Sequence, residues 1–136
     1  MKLLIDADIL LDVLAKREGH YRDSLFIWKL CEAGCTSGYV SALSIADIVY
    51  VLRKKLDAAR TDELIKKLRL IFMFADLSGQ DITAAAALRW DDYEDAVQYV
   101  AAKRIHADYI ITRNVCDFLG SSIPAFTPEE FIDRYW

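Results

Sequence analysis

Acidic side chains are the groups in this sequence whose placement could do chemistry. Four carboxylates, Asp91, Asp92, Glu94 and Asp95, fall within five residues at the head of the stretch DDYEDAVQYVAAKRIHADYIITRNVCDF (91–118), and Asp117 lies at its tail. Asp6 directly follows the aliphatic run Lys2–Ile5. A carboxylate set against a core is costly unless it is paired or binds a cation. Asp47 and Asp95 each fall in what reads as the first turn of a helix, where the helix dipole favours an anion. If those helix starts face the end of the first strand, Asp6, Asp47 and Asp95 converge, and the loop with Asn114 and Asp117 completes the ring. An oxygen-only donor set, without histidine or thiolate, suits a hard divalent ion, Mg²⁺ or Mn²⁺. The matching chemistry is hydrolysis of a phosphodiester by metal-activated water.

Each acid also has a structural reading. Asp47 can be a helix-start acid that answers the dipole. Asp92 and Glu94 can be a cap and a solvated neighbour. Asp8 reads as the cap of the first helix, close enough to Asp6 to support it from outside. Asp12 falls mid-helix, where it faces solvent or pairs with a base. Asn114 can be a turn residue.

The elements that must position these acids follow from periodicity. Lys2–Ile5 reads as a buried strand, followed by a helix through Leu10, Leu11, Val13 and Leu14 that ends at Arg17–Gly19. Tyr21 to Ala33 reads as a helix closed by a left-handed Gly34. Thr36–Val40 is a strand, and Ser41 or Ser44 opens a helix from Ile45 to about Leu56. Thr61 caps a further helix to Leu70, and the run 71–77 divides near Phe72 into helix end and strand. Asp81–Leu88 and Tyr93–Ile105 are helices. Tyr109–Ile111 is a buried strand that ends at Thr112, and a weak strand lies within 123–126. Thr127-Pro128-Glu129-Glu130 carries the signature of a capped helix start. Aliphatic strands that alternate with helices predict an α/β domain with a mostly parallel sheet. Ligands of such sheets sit at the carboxyl ends of the strands, which places Asp6 and the Thr112–Asp117 loop on one rim.

Length and composition bound the rest. The 136 residues read as one domain, 1–136, with 54% hydrophobic and 28% charged residues. Seventeen basic and 21 acidic residues leave a net charge of −4, so nucleic acid must be met by a local basic patch rather than by bulk charge. Arg53, Lys54, Lys55 and Lys103 are candidates, and Arg113, inside the site loop, is the favoured phosphate contact. No apolar run is long enough to cross a bilayer. The N-terminal apolar stretch is broken by Asp6, Asp8 and Asp12, unlike a signal peptide, so the expectation is a cytoplasmic protein with no membrane association. Cys31, Cys35 and Cys116 lack the partners of a zinc site and read as reduced thiols.

Three blocks, LLIDADILLDVL (3–14), SALSIADIVYVLRK (41–54) and the 91–118 stretch, resemble a PIN domain, the nuclease fold of VapC-type toxins in prokaryotic toxin–antitoxin pairs. The third block is the most specific, a helix opening D-x-x-D-A and a strand closing in T-R-N-x-x-D-F. The resemblance implies a three-layer α/β/α fold with a mostly parallel central sheet. It implies a metal site of Asp6, Asp47, Asp95 and an acid of the Asn114–Asp117 loop, with Asp8, Asp92, Thr112 and Arg113 in supporting or substrate-contacting places. The implied activity is a Mg²⁺- or Mn²⁺-dependent endoribonuclease, with RNA as substrate, a small antitoxin as partner and a homodimer as assembly. The sequence departs from the family pattern at three points. Asp47 stands where Glu is usual, Asp6-Ala7-Asp8 replaces Asp-Thr-Asn, and Asn114 stands where many members have Asp. These departures keep open a catalytically weak PIN-like module that binds RNA or protein. A haloacid-dehalogenase-type phosphatase is a third reading, from Asp6-x-Asp8 and the run ending in Thr112, but that class needs a catalytic lysine and then an acid pair after the threonine, whereas here the acidic cluster comes before Thr112 and the chain is short for that fold.

Overall fold

The aliphatic runs form the middle of a sheet. In the computed structural model, which describes residues 1–136, the strands are β1 (Lys2–Ile5), β2 (Ser37–Ser41), β3 (Met73–Ala75), β4 (Tyr109–Ile111) and β5 (Ala125–Phe126). All pairings are parallel, in the order β3-β2-β1-β4-β5. The helices are α1 (Ala7–Leu14), α2 (Tyr21–Glu32), α3 (Ala42–Val51), α4 (Ala58–Ile71), α5 (Gly79–Ala87), α6 (Tyr93–Arg104) and α7 (Pro128–Tyr135).

Alternation along β1 divides the core into two layers. Leu3 and Ile5 face one side with Ile9 and Leu10 of α1, Ile27 and Trp28 of α2, Ile48 of α3, Leu68 of α4 and Phe131 of α7. Leu4 faces the other, with Ile110 of β4 and Tyr99, Ala101 and Ala102 of α6. Helices therefore cover both faces, which is why the central strands β1 and β4 carry consecutive apolar residues, Leu3–Ile5 and Tyr109–Ile111, instead of alternating with polar ones. The architecture is three-layer α/β/α, as expected. Gly38 lets β2 approach α2 closely, since a Cβ there would lie 2.6 Å from Cys31 Sγ and 2.8 Å from Phe72 Cδ1.

Several helix starts differ from expectation by the residue that caps them. Asp6, not Asp8, is the N-cap of α1, with its side chain on the Ala7 N–H. Asp57 rather than Thr61 caps α4, and α5 starts at Gly79, two residues before the expected Asp81, under a Ser78 cap that forms a reciprocal capping box with Asp81. α3 starts at Ala42 under a Ser41 cap, so Asp47 lies in its second turn and the dipole does not explain it. Thr127 and Pro128 open α7 as predicted, with Glu130 completing the capping box. Gly34 takes its left-handed conformation at φ +78°. The three cysteines are free thiols and join no metal cluster. Burial pushes the Cys31 thiol up to about 11. No helix is long and apolar enough to cross a membrane.

Candidate active site

Chain direction changes around β1. The chain first builds outward through β2 and β3, then returns to place β4 on the opposite edge of β1. The carboxyl ends of β1 and β4 therefore frame the crevice where ligands of parallel sheets bind. Asp6 follows β1 and Thr112 follows β4, and the pairing Ile5↔Ile111 sets them side by side. Asp6 N–H donates to Ile111 O at 2.9 Å. Thr112 Oγ1–H donates to Asp6 Oδ2 at 3.0 Å, and the same oxygen accepts the Asn114 N–H at 3.1 Å. Asp6 Oδ1 takes the Ala7 N–H at 2.8 Å. One buried hydroxyl thus fixes both the first acid and the loop that carries Asn114.

Over this seam lies a cleft of about 320 Å³ lined by six acids, Asp6, Asp8, Asp47, Asp92, Glu94 and Asp95, together with Gln98, Asn114, Tyr50 and Val51. Asp92 caps α6 by accepting the Asp95 N–H at 3.1 Å. Asp8 alone among the six has an ion-pair partner. The uncompensated charge shows in the acids themselves. The Asp95 carboxyl is pushed up to about 7 by burial and by the charges of Asp92, Asp6 and Asp117, and it shares a hydrogen bond with Asp117. Asp6 is pushed up to about 6, mainly by burial and by Asp8 and Glu94, against the lowering effect of its Thr112 and Ala7 hydrogen bonds. Burial raises Asp47, and burial with the charges of Asp47 and Asp92 raises Glu94.

The structure brings together Asp6, Asp8, Asp47, Asp92, Asp95 and Asn114. Asp117 does not line this cleft; it borders a neighbouring hollow with Asp91 and Asp92 and meets the site through Asp95. Arg113 is paired with two carboxylates of α1. Its Nη2 lies 3.4 Å from Asp8 Oδ1 and 3.5 Å from Asp12 Oδ1. Asp12 is fully buried instead of facing solvent, with Ser24 Oγ donating to its Oδ2 at 2.8 Å and Arg17 at 3.7 Å from its Oδ1. A buried carboxylate attracts the nearest guanidinium more strongly than a solvated phosphate site would. The sequence reading missed Glu94 and Gln98 as cleft residues. A helical spacing of three places Gln98 on the Asp95 face, which was the available signal.

The residues present fit a divalent cation by chemistry. The donors are oxygens, five of the six acids have no internal counter-ion, and the set needs neither Cys nor His. No three of the carboxylates form a ready cage. Mg²⁺ does not demand one, because it keeps several waters and is held by one or two carboxylates.

Sheet order, helix layers and this cleft define a three-layer α/β/α domain with an acidic site at its topological switch point. Residues 2–116 match the family model of the PIN domain, and the chain belongs to the PIN domain family. That membership displaces the haloacid-dehalogenase reading. Among solved structures the chain is similar to a toxin–antitoxin complex from Klebsiella pneumoniae, at 25% identity and TM-score 0.69 over 93% of this chain and 97% of that one. It is also similar to VapBC2 from Rickettsia felis, described as bound to a DNA fragment from its promoter, at 15% identity and TM-score 0.66 over 93% and 98% of the two chains. VapC20 of Mycobacterium tuberculosis, described as a Sarcin-Ricin loop cleaving toxin, shares the fold at 9% identity and TM-score 0.62 over 79% and 86%. No curated protein matches the sequence.

Proposed function

We propose that this PIN domain is a metal-dependent endoribonuclease and the toxin of a type II toxin–antitoxin pair. One observation carries the reading: five acids of a single cleft, Asp6, Asp47, Asp92, Glu94 and Asp95, have no basic partner, at the seam where parallel sheets bind ligands. The toxin–antitoxin complex from Klebsiella pneumoniae and the toxin VapC20 support the biological setting. In this reading Asp6, Asp95 and Asn114 hold Mg²⁺ or Mn²⁺, with Asp47 and Asp117 contributing from either side. When bound, the ion supplies an activated water and neutralises charge on the phosphate.

The chain's own residues do the rest. Thr112 holds Asp6 in one rotamer through its hydroxyl. Asp92 fixes the first turn of α6 and so the direction of Asp95. Burial and the charges of Asp92, Asp6 and Asp117 favour the protonated form of Asp95, and a cation in the cleft would favour the ionised form. Arg113 clamps the site loop to α1 through Asp8 and Asp12. RNA as substrate, a small antitoxin as partner and homodimerisation belong to the same proposal.

Asp6→Asn and Asp95→Asn should each abolish RNA cleavage and growth inhibition on expression. A doubly substituted chain as toxic as the parent rejects the mechanism. The lack of a ready three-carboxylate cage favours a second reading, a PIN module that binds RNA or protein without cutting. Calorimetric titration with Mn²⁺ separates the two, since the module predicts no binding at millimolar metal.

A further inference from the structure

The two helices that flank the cleft carry opposing acids, Asp47 on α3 and Glu94 and Asp95 on α6. Asp47 and Glu94 are close enough for their charges to repel. A single hydrogen bond joins α3 to α6: Gln98 Nε2 donates to Ser44 Oγ at 2.7 Å. Ser44 stands one turn before Asp47 and Gln98 one turn after Asp95, so each helix puts its end of the tie on the same face as its acid. Both side chains are buried, Gln98 at 4% exposure and Ser44 at 0%. Ser44 is held in turn by Ser41 Oγ at 3.3 Å, and Ser41 caps α3. Gln98 Oε1 has no partner. A methionine of the same length would fill the space without stranding an oxygen, so packing alone does not account for glutamine at this place.

We propose that Gln98 is a positioning residue of the cleft: its amide sets the separation of α3 and α6 against the repulsion of the acids they carry, and thereby sets the affinity for a divalent cation. The inference rests on the metal-dependent reading above. With the tie removed, no hydrogen bond holds α3 to α6, and the repulsion between Asp47 and Glu94 is free to move the acids of the two helices apart.

The test is calorimetric titration of the full chain with MnCl₂, alongside thermal melts in EDTA, for the parent, Gln98→Met, Ser44→Ala and the double variant. Gln98→Met should melt in EDTA at or above the parent temperature, because it removes a stranded oxygen, while its Mn²⁺ affinity falls by about tenfold or more, as for lost outer partners of metal ligands. A merely structural role would move the melting temperature and leave the affinity alone. Ser44→Ala should lose Mn²⁺ affinity as well, and the double variant should bind no more weakly than Gln98→Met. The proposal is overturned if Gln98→Met binds Mn²⁺ as tightly as the parent. Should that variant not fold, Ser44→Ala decides by the same comparison. A parent that binds no Mn²⁺ overturns the metal reading itself, a result distinct from variants that match a binding parent.

Discussion

Asp95→Asn should make the metal-free protein more stable at neutral pH, and the gain should vanish in acid. Asp95 is 9% exposed and its carboxyl is pushed from 3.8 to about 7 by burial and by Asp92, Asp6 and Asp117. A shift of that size penalises the ionised form by at most about 4 kcal/mol. The carboxyl opens on a wet cleft, and screening there leaves about 1–2 kcal/mol. For a chain of this length that is about 3–7 °C in melting temperature. Asparagine keeps the shape, and its amide donates to Asp117 in place of the shared proton. The sign follows from linkage. Below about pH 4 the carboxyl is protonated both folded and unfolded, so parent and variant melt together. As pH rises through the folded value near 7, the parent loses stability that the variant keeps. Melts in EDTA across this range give the difference directly. Millimolar Mn²⁺ should then stabilise the parent more than the variant. A variant less stable than the parent at about pH 8, or a gap that does not change with pH, refutes the electrostatic account of the cleft.

Other perturbations test its supports. Arg113→Met leaves buried Asp12 to Arg17 and Ser24 alone, and urea unfolding should show a loss of about 2–4 kcal/mol, with Arg113→Lys recovering part of it. Thr112→Val strands the Asn114 N–H and removes a donor from Asp6; denaturant unfolding should register about 1–3 kcal/mol, and carboxyl-carbon NMR should find Asp6 titrating higher than in the parent, whose value is about 6. Gly38→Ala drives a methyl toward Cys31 Sγ and Phe72; the loss should be about 1–3 kcal/mol in thermal or urea unfolding, with an unchanged cleft.

Much of the fold was legible because its two central strands, β1 and β4, are short, rich in aliphatics and followed by polar residues. Asp6 after Ile5 and the Thr112–Asp117 loop after Ile111 both reach the rim that the periodicity predicts. The caps were less legible. Asp6 and Asp8 are equally good capping residues, and the choice depends on which of them leaves the strand in an extended conformation, as Asp6 does at ψ 151°. Asp47 was misplaced by one turn because Ser41 and Ser44 offer alternative starts, and the capping oxygen on the Ser44 N–H belongs to Ser41. Arg113 shows a different limit. Its place in the site loop was readable, but it pairs with Asp12, a buried residue far earlier in the chain that also takes a hydrogen bond from Ser24 of α2. The spacing of three from Asp95 puts Gln98 on the cleft face, but its partner Ser44 lies on another helix 54 residues away, and no spacing announces that pairing.

The central position of β1 has a consequence for synthesis. Asp6 is made well before the hydroxyl that orients it, which belongs to Thr112, 106 residues later. A growing chain can pair β1 with β2 and β3, but β4 is still missing on the far edge. Until that strand arrives, Asp6 lies beside an open sheet edge and the loop bearing Asn114 does not exist. The cleft is therefore closed only once β4 is made, by a contact between segments far apart in sequence, and a chain that stops before residue 109 carries the first acids of the site without the strand that completes it.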